Sequence, residues 1–517
     1  MKTSTYLNHI ILIAFFIFVL ILSCKSPTDQ ESKSETTASL PETTVPNALP
    51  FNMEFVQMYD TTNTVLPRVQ SYVSAITTTG EILVVGGRRQ GLHTFEPAPA
   101  KNFIPDSSNH YIYVLNPTTP QTWSFDVNKL KPELSAPLQS TNQQSYHDRK
   151  TDIMYIVGGY GWLPDTSNMV TFNTIIAFNV TKMVAAIKAG QTPGQIQSLI
   201  QMSTDDRLAV TGGELFQLEG AFYLVFGQLF NGQYRAFGGT DFTQKYTEVI
   251  KKFTLIPNSL KILSYGEISN SDPDRPFHRR DGNIIEDIDP KNGRARIASF
   301  GGVFKPGIIA PYTYPVYIYG SNPSIPVVDT SGNQKFSQYE CPVISVFDSS
   351  SNSTVFHTFF GGIGHYYYKQ TPSQAAIYDT ATVQGRNDGF PFVEDVTTFL
   401  QRADGTYEEW IHTAPVPGNR LLGSSVRFIL SPALIDQGYA YSNRVVKLNK
   451  IPPGKRFFLG YVYGGIEAKN PLPFIPNTGT KVTNSIFQVY ITKTSTAAIP
   501  ASEGHESTIN NANLHRK

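Results

Sequence analysis

Six stretches of the chain share one pattern, a short apolar run that stops at glycine. They read ILVVGG at 82–87, MYIVGG at 154–159, FYLVFG at 222–227, IASFGG at 297–302, HTFFGG at 357–362 and YVYGG at 461–465. Runs this short, rich in β-branched and aromatic residues and bounded by glycine, predict buried strands rather than helices. Each has an extended segment before it, at 69–77, 141–146, 209–217, 283–288, 342–347 and 422–430. Each has another after a loop, at 111–115, 174–178, 248–255, 316–319, 395–400 and 485–491. A fourth strand is suggested at 122–127 and 407–412, each with a tryptophan, Trp123 and Trp410. Three or four short strands per unit, six times over, predict an all-β repeat architecture.

Glycine at a strand end permits positive φ and close approach of another backbone. The third copy departs from the double glycine, reading Phe226-Gly227-Gln228. With the apolar run, the Gly-Gly, the later aromatic strand and the tryptophan, residues 51–493 resemble kelch repeats with loop insertions of variable length. The resemblance implies a six-bladed kelch-type β-propeller. The last copy lacks a fourth strand, and FNMEFVQMY at 51–59 has no unit of its own. That segment is expected to complete the sixth blade by pairing with 487–491, leaving no free edge.

The two ends read differently. Residues 10–22 form an unbroken apolar run of 13 after a short segment carrying Lys2. It is shorter than the roughly 20 residues of a membrane-spanning helix and fits the apolar region of a secretory signal peptide. Ile21-Leu22-Ser23-Cys24 follows directly and resembles the bacterial lipobox. That resemblance implies cleavage before Cys24, a diacylglycerol thioether on its sulfur and an acyl chain such as palmitate on its amino group, which together anchor the chain in the outer membrane of the cell envelope. Residues 24–50, almost free of large apolar side chains, are expected to be a disordered tether, and 494–517 a disordered tail.

Charge narrows the partners. Lys and Arg number 42 against 41 Asp and Glu, so a broad polybasic nucleic-acid surface is excluded, and membrane attachment falls to the lipid. The two cysteines, Cys24 and Cys341, are too few for a disulfide framework or a thiolate zinc site. Kelch oxidases related to galactose oxidase carry copper on tyrosines and histidines beside a Cys–Tyr cross-link. Here Cys341 and Tyr146-His147 fall in or beside predicted strands, and no metal or cofactor is expected.

Candidate chemistry lies in the loops. The segments after the glycines, 88–109, 160–168, 228–245, 303–315, 363–388 and 466–483, are long and show no evident secondary structure. Kelch propellers usually bind on the face these loops form, which implies a protein partner or a glycan. Trp162, His365 and Tyr366 are the aromatic candidates there. The connections between units contribute Arg68, Arg207, Arg420 and the run His278-Arg279-Arg280-Asp281. Two guanidiniums beside a carboxylate can hold an anionic or polyhydroxylated ligand, or Arg280 and Asp281 can form a structural ion pair. Two other readings stay open. One is a six-bladed kelch mutarotase acting on the anomeric carbon of an acidic sugar, with Glu214, Asp281, Glu286 or Glu467 as carboxylate and Arg279 or Arg280 as partner. The other is a structural scaffold in an envelope complex.

Overall fold

The computed structural model describes residues 49–494 except 60–65, 95, 97, 120, 236–239, 309, 321–325, 351, 371–374, 380–389 and 472–478. Cys24, the apolar run before it, nearly all of the tether and the tail beyond Thr494 lie outside the described residues. Among those described, no helix is long and apolar enough to cross a membrane.

Each glycine-ended run is the second strand of an antiparallel set of four strands, and the chain is all-β. Sheet 1 takes Val73–Ile76, Ile82–Val85, Tyr111–Asn116 and Gln121–Asp126. Sheet 2 takes Gln144–Asp148, Ile153–Val157, Thr174–Asn179 and Gln201–Thr204; sheet 3 takes Glu214–Leu218, Ala221–Val225, Val249–Leu255 and Ile262–Ser269. Sheet 4 takes Asn283–Ile288, Ala295–Phe300, Val316–Ile318 and Val327–Val328. Sheet 5 takes Val343–Asp348, Thr354–Phe360, Val396–Arg402 and Tyr407–Ile411, with Val446–Lys447 added in parallel. Sheet 6 takes Phe428–Leu430, Arg456–Tyr463 and Ile486–Lys493, and its fourth strand comes from the other end of the described chain, Phe51–Gln57. Phe51 lies opposite Lys493 and Gln57 opposite Phe487, the partner segment expected from the sequence.

The second strands are mostly apolar because both of their faces are covered. Apolar side chains of sheet 1 pack on sheet 2, as Leu83 and Val85 do with Met154 and Ile156. Sheet 2 packs on sheet 3, sheet 3 on sheet 4 and sheet 4 on sheet 5. One further core joins sheets 5 and 6 to sheet 1, through Ile344, Val462 and Val84. In Phe51–Gln57 the alternation works as a half-buried strand should: Phe51, Met53 and Phe55 point inward, Asn52 and Glu54 outward.

Just ahead of each first strand, one residue takes a positive φ, between 48 and 68°. These six residues, Ser71, Asn142, Gly212, Asp281, Glu340 and Ser425, hydrogen-bond backbone to backbone. Asn142 donates to Ser71, Gly212 to Asn142, Asp281 to Gly212, Glu340 to Asp281 and Ser425 to Glu340, at 3.2, 3.2, 2.8, 3.1 and 2.6 Å. Ser71 donates to Ser425 at 2.8 Å and closes the circuit.

Two features depart from the sequence reading. Four of the post-glycine segments contain hairpins: Tyr160–Trp162 with Met169–Thr171, Gln228–Gly232 with Phe242–Tyr246, Tyr366–Gln370 with Ala375–Asp379, and Ile466–Ala468 between Leu421–Ser424 and Thr480–Val482. Their strands mostly run three to five residues, too short for a periodic signal, and pair mainly with each other. The helix Val180–Lys188 joins the last two strands of sheet 2, capped by Asn179 accepting from the Lys182 amide. Its inward residues Val180, Met183, Val184 and Ile187 have helical spacing and pack into the core between sheets 1 and 2.

Candidate functional site

The inserted hairpins lie between second and third strands, and so emerge at the edge where each first strand begins. That is the edge occupied by the hydrogen-bonded ring. One residue before their ring positions, Gln70, Thr141, Thr211, Arg280 and Tyr339 bridge Arg88, Tyr160, Gln228, Val303 and Ile363, each one residue past its glycine run. This layer is the floor of the loop side.

At the centre of the ring two carboxyls meet. Glu340 accepts from the Asn142 amide at 2.9 Å and from the Ser425 hydroxyl at 2.7 Å, and it hydrogen-bonds Asp281. Burial, and for Glu340 also the charge of Asp281 beside it, pushes both carboxyls above the usual range, Glu340 the further. Glu340, the further raised, is the member of the pair that favours the protonated form. Asp281 was a candidate from sequence; Glu340 was not, because nothing in its local sequence, Tyr339-Glu340-Cys341, marks it.

The run 278–281 divides into separate roles. Arg280 lies 3.2 Å from the Asp281 carboxylate and donates to the Tyr246 hydroxyl at 2.9 Å, the Tyr234 hydroxyl at 3.2 Å and Gln228 Oε1 at 3.3 Å. Arg279 turns away from the ring. Only 1% exposed, it donates to the carbonyls of Pro276, Gly301 and Tyr314 and sits over the Tyr312 ring at 4.2 Å, so its role is to join backbone segments. His278 stacks on Tyr246 and pairs with Glu248 at 2.8 Å; burial lowers its pKa against that pairing.

The other sequence candidates are dispersed. Trp162 is buried in an aromatic cluster with Tyr160 and Phe230, with Lys101 over its ring at 5.0 Å. Arg207 pairs with Asp205 at 2.6 Å and lies over Tyr265, in the outermost strand of sheet 3 and away from the ring. Arg420 holds Glu467 through two hydrogen bonds of 3.0 and 2.7 Å and donates to Gln57. Arg68 is exposed. His365 and Tyr366 meet edge to face at the start of their hairpin, with Phe390 against His365. Cys341 is buried and accepts from the Asn283 amide, and burial pushes its thiol up to about 12. Tyr146 and His147 are in the first strand of sheet 2, His147 3.1 Å from Asp152. Among the described residues no three His, Cys, Asp or Glu side chains converge to hold a metal.

Away from the loops, the first strands surround a cavity of about 190 Å³ that runs from the ring. Glu214 pairs there with Arg427, and Glu286 with Arg444 at 2.8 Å. Three of the four candidate carboxylates, Glu214, Glu286 and Glu467, are thus held by arginines other than Arg279 and Arg280.

No family model matches the sequence, and no curated protein does. Among solved structures, that of YjhT is similar, with a TM-score of 0.42 and 11% identity over 82% of this chain and 95% of that one. At that score the likeness carries no argument.

Proposed function

We propose that this chain is a closed six-bladed kelch-type β-propeller, held in the bacterial cell envelope by a lipid on Cys24, that binds a protein partner or a glycan through the face carrying the inserted hairpins. The closure reading draws on the ring of six backbone hydrogen bonds and on the sheet that uses both ends of the described chain. The lipid anchor draws on the sequence Ile21-Leu22-Ser23-Cys24 alone.

One observation carries the binding reading. The insertions gather at a single edge and interlock there. Asn102 donates to the Tyr234 carbonyl at 2.7 Å, Arg235 to the Glu96 and Ala100 carbonyls at 2.7 Å, Thr171 to the Phe230 carbonyl at 2.7 Å and the Leu92 amide to Thr480 at 2.9 Å. Long segments held in fixed positions by a rigid sheet scaffold are the usual carriers of recognition. The layer is rich in part-exposed aromatic rings with polar tips, which suit sugar and peptide surfaces.

Two measurements test the proposal. Cys24→Ser should abolish incorporation of labelled palmitate and move the protein from membrane to soluble fractions. On glycan and protein arrays, the Tyr366→Ala variant should bind about tenfold more weakly than wild type, a loss of about 1.4 kcal/mol, while Arg149→Ala, at the far cavity, should bind unchanged. Equal losses at the two positions would remove the case for the loop face.

A further inference from the structure

Arg88 follows the first double glycine directly and is 2% exposed. Its Nη2 donates to Gln90 Oε1 at 2.9 Å and to the Ile104 carbonyl at 2.6 Å. Its Nε, fully buried, donates to nothing, and among the described residues no carboxylate lies within ion-pair distance of the guanidinium. The fold handles its other deeply buried arginines differently. Arg279 donates from all three nitrogens to carbonyls, Arg280 pairs with Asp281, and Arg296 pairs with Asp287 at 2.6 Å. A buried guanidinium nitrogen left without an acceptor is costly, so the unused Nε of Arg88 implies a partner not supplied by those neighbours.

Beside Arg88 lies an aromatic surface that solvent reaches. The Arg88 guanidinium sits 4.9 Å from the Phe103 ring centre, and His93 stacks on Phe103 at 4.7 Å and meets Tyr234 at 4.7 Å. Phe103, His93 and Tyr234 are each part-exposed. On the far side of Tyr234, Arg280 donates to its hydroxyl and lies 5.6 Å from its ring. Burial and the two nearby guanidiniums pull His93 down to about 4, so the imidazole between them is neutral at pH 7 and adds no competing charge.

We propose that Arg88 anchors an oxyanion-binding site on the loop side of the ring, which takes the carboxylate or phosphate group of a small ligand whose body lies against Phe103, His93 and Tyr234. The guanidinium supplies charge-assisted donors to a planar or tetrahedral oxyanion, and the rings supply contact area. The site deepens the reading of this face as a binding face and rests on it.

The test is thermal unfolding of the purified full-length protein in detergent, titrated at constant ionic strength with D-glucuronate, inorganic phosphate or neutral D-glucose. A saturable rise in Tm is expected with at least one oxyanion and none with D-glucose. A response to glucuronate alone assigns a carboxylate, and one to phosphate alone a phosphate. Arg88→Gln should lose the response and, having lost an uncompensated charge, should melt no lower than wild type without ligand. Arg88→Lys, which keeps the charge and loses the fork, should weaken binding by about tenfold. No response of wild type at millimolar oxyanion, a response retained by Arg88→Gln, or an Arg88→Gln protein that does not fold would each overturn the proposal, the last by assigning Arg88 a structural role. Glycan or protein binding that survives in a wild type blind to oxyanions would overturn this site and leave the face's binding role standing.

Discussion

Asn142 and Glu340, 198 residues apart in the chain, meet across the centre of the ring, where the Asn142 amide donates to the Glu340 carboxyl at 2.9 Å. One belongs to the turn before sheet 2 and the other to the turn before sheet 5. With Ser425 on its other oxygen and Asp281 beside it, this carboxyl connects the turns of four sheets.

Glu340 therefore sets a pH dependence of known sign. Its folded pKa is raised by burial and by Asp281, so its contribution is complete below the ordinary carboxyl value of 4.5 and is lost as pH rises toward the folded value. Glu340→Gln imitates the protonated form. The Tm of this variant relative to wild type should rise steadily above about pH 5, while Glu340→Ala, which leaves the Asn142 amide and Ser425 hydroxyl without their acceptor, should cost about 1–3 kcal/mol. Calorimetry from acid to mildly alkaline pH checks both, and a relative Tm that falls with pH would contradict the raised Glu340 carboxyl.

The glycines at the strand ends are a matter of space as well as of φ. A Cβ on Gly361 would lie 1.9 Å from the Leu422 carbonyl oxygen, whereas one on Gly405 would meet nothing within 4 Å, although both have positive φ. Gly405→Ala should cost about 1 kcal/mol and Gly361→Ala at least about 3 kcal/mol, because the neighbour is backbone and cannot turn aside. Urea unfolding of the two variants measures the difference.

Phe51 connects the first described strand to the core, at 1% exposure and 5.2 Å from the Phe356 ring in an edge-to-face arrangement. Phe51→Ala should cost about 3–5 kcal/mol. Its neighbour Asn52, on the outer face of the same strand, should change stability by less than about 0.5 kcal/mol when replaced by Ala. Equal effects would mean that the strand does not seal the sixth sheet in solution.

Between sheets 4 and 5, Asp287 is fully buried with Arg296 at 2.6 Å and His357 Nε2 at 3.4 Å. Asp287→Asn leaves the buried guanidinium of Arg296 with only the more distant Asp289, at 3.8 Å, as counter-charge and should destabilise by about 3–5 kcal/mol. Breaking the exposed pair Arg456 and Glu54 with Glu54→Gln should cost less than about 1 kcal/mol. Denaturation midpoints in one buffer separate the two cases.

The strands were legible because their side chains meet nearby partners of the same kind. Ile82–Val85 and Ala221–Val225 are apolar at every position, which only a strand covered on both faces tolerates. Phe226 shows how far that reading reaches. It departs from glycine yet keeps a φ of 57°, because its ring is buried against Phe277 at 5.0 Å. Helix Val180–Lys188 carried its own signal in the spacing of Val180, Met183, Val184 and Ile187, which the surrounding strand pattern masked.

The site was less legible. Of the run 278–281, the sequence pointed to a charged cluster at the start of a first strand, and Asp281 does sit in the ring; that Arg279 would be enclosed by carbonyls depended on Gly301 and Tyr314, more than 20 residues on. Glu340 carries no local mark at all, and Arg88 only its place directly after the first double glycine.

Local chemistry, then, determined what repeats: apolar strands, the glycines that end them and the unpaired strand at 51–59, all set by backbone sterics and by burial within a few residues. Tertiary structure alone decided which charges are neutralised. Ion pairs form over a few ångströms between side chains as far apart in sequence as Glu214 and Arg427, and the energy of a buried charge depends on that neighbourhood rather than on the residues beside it in the chain.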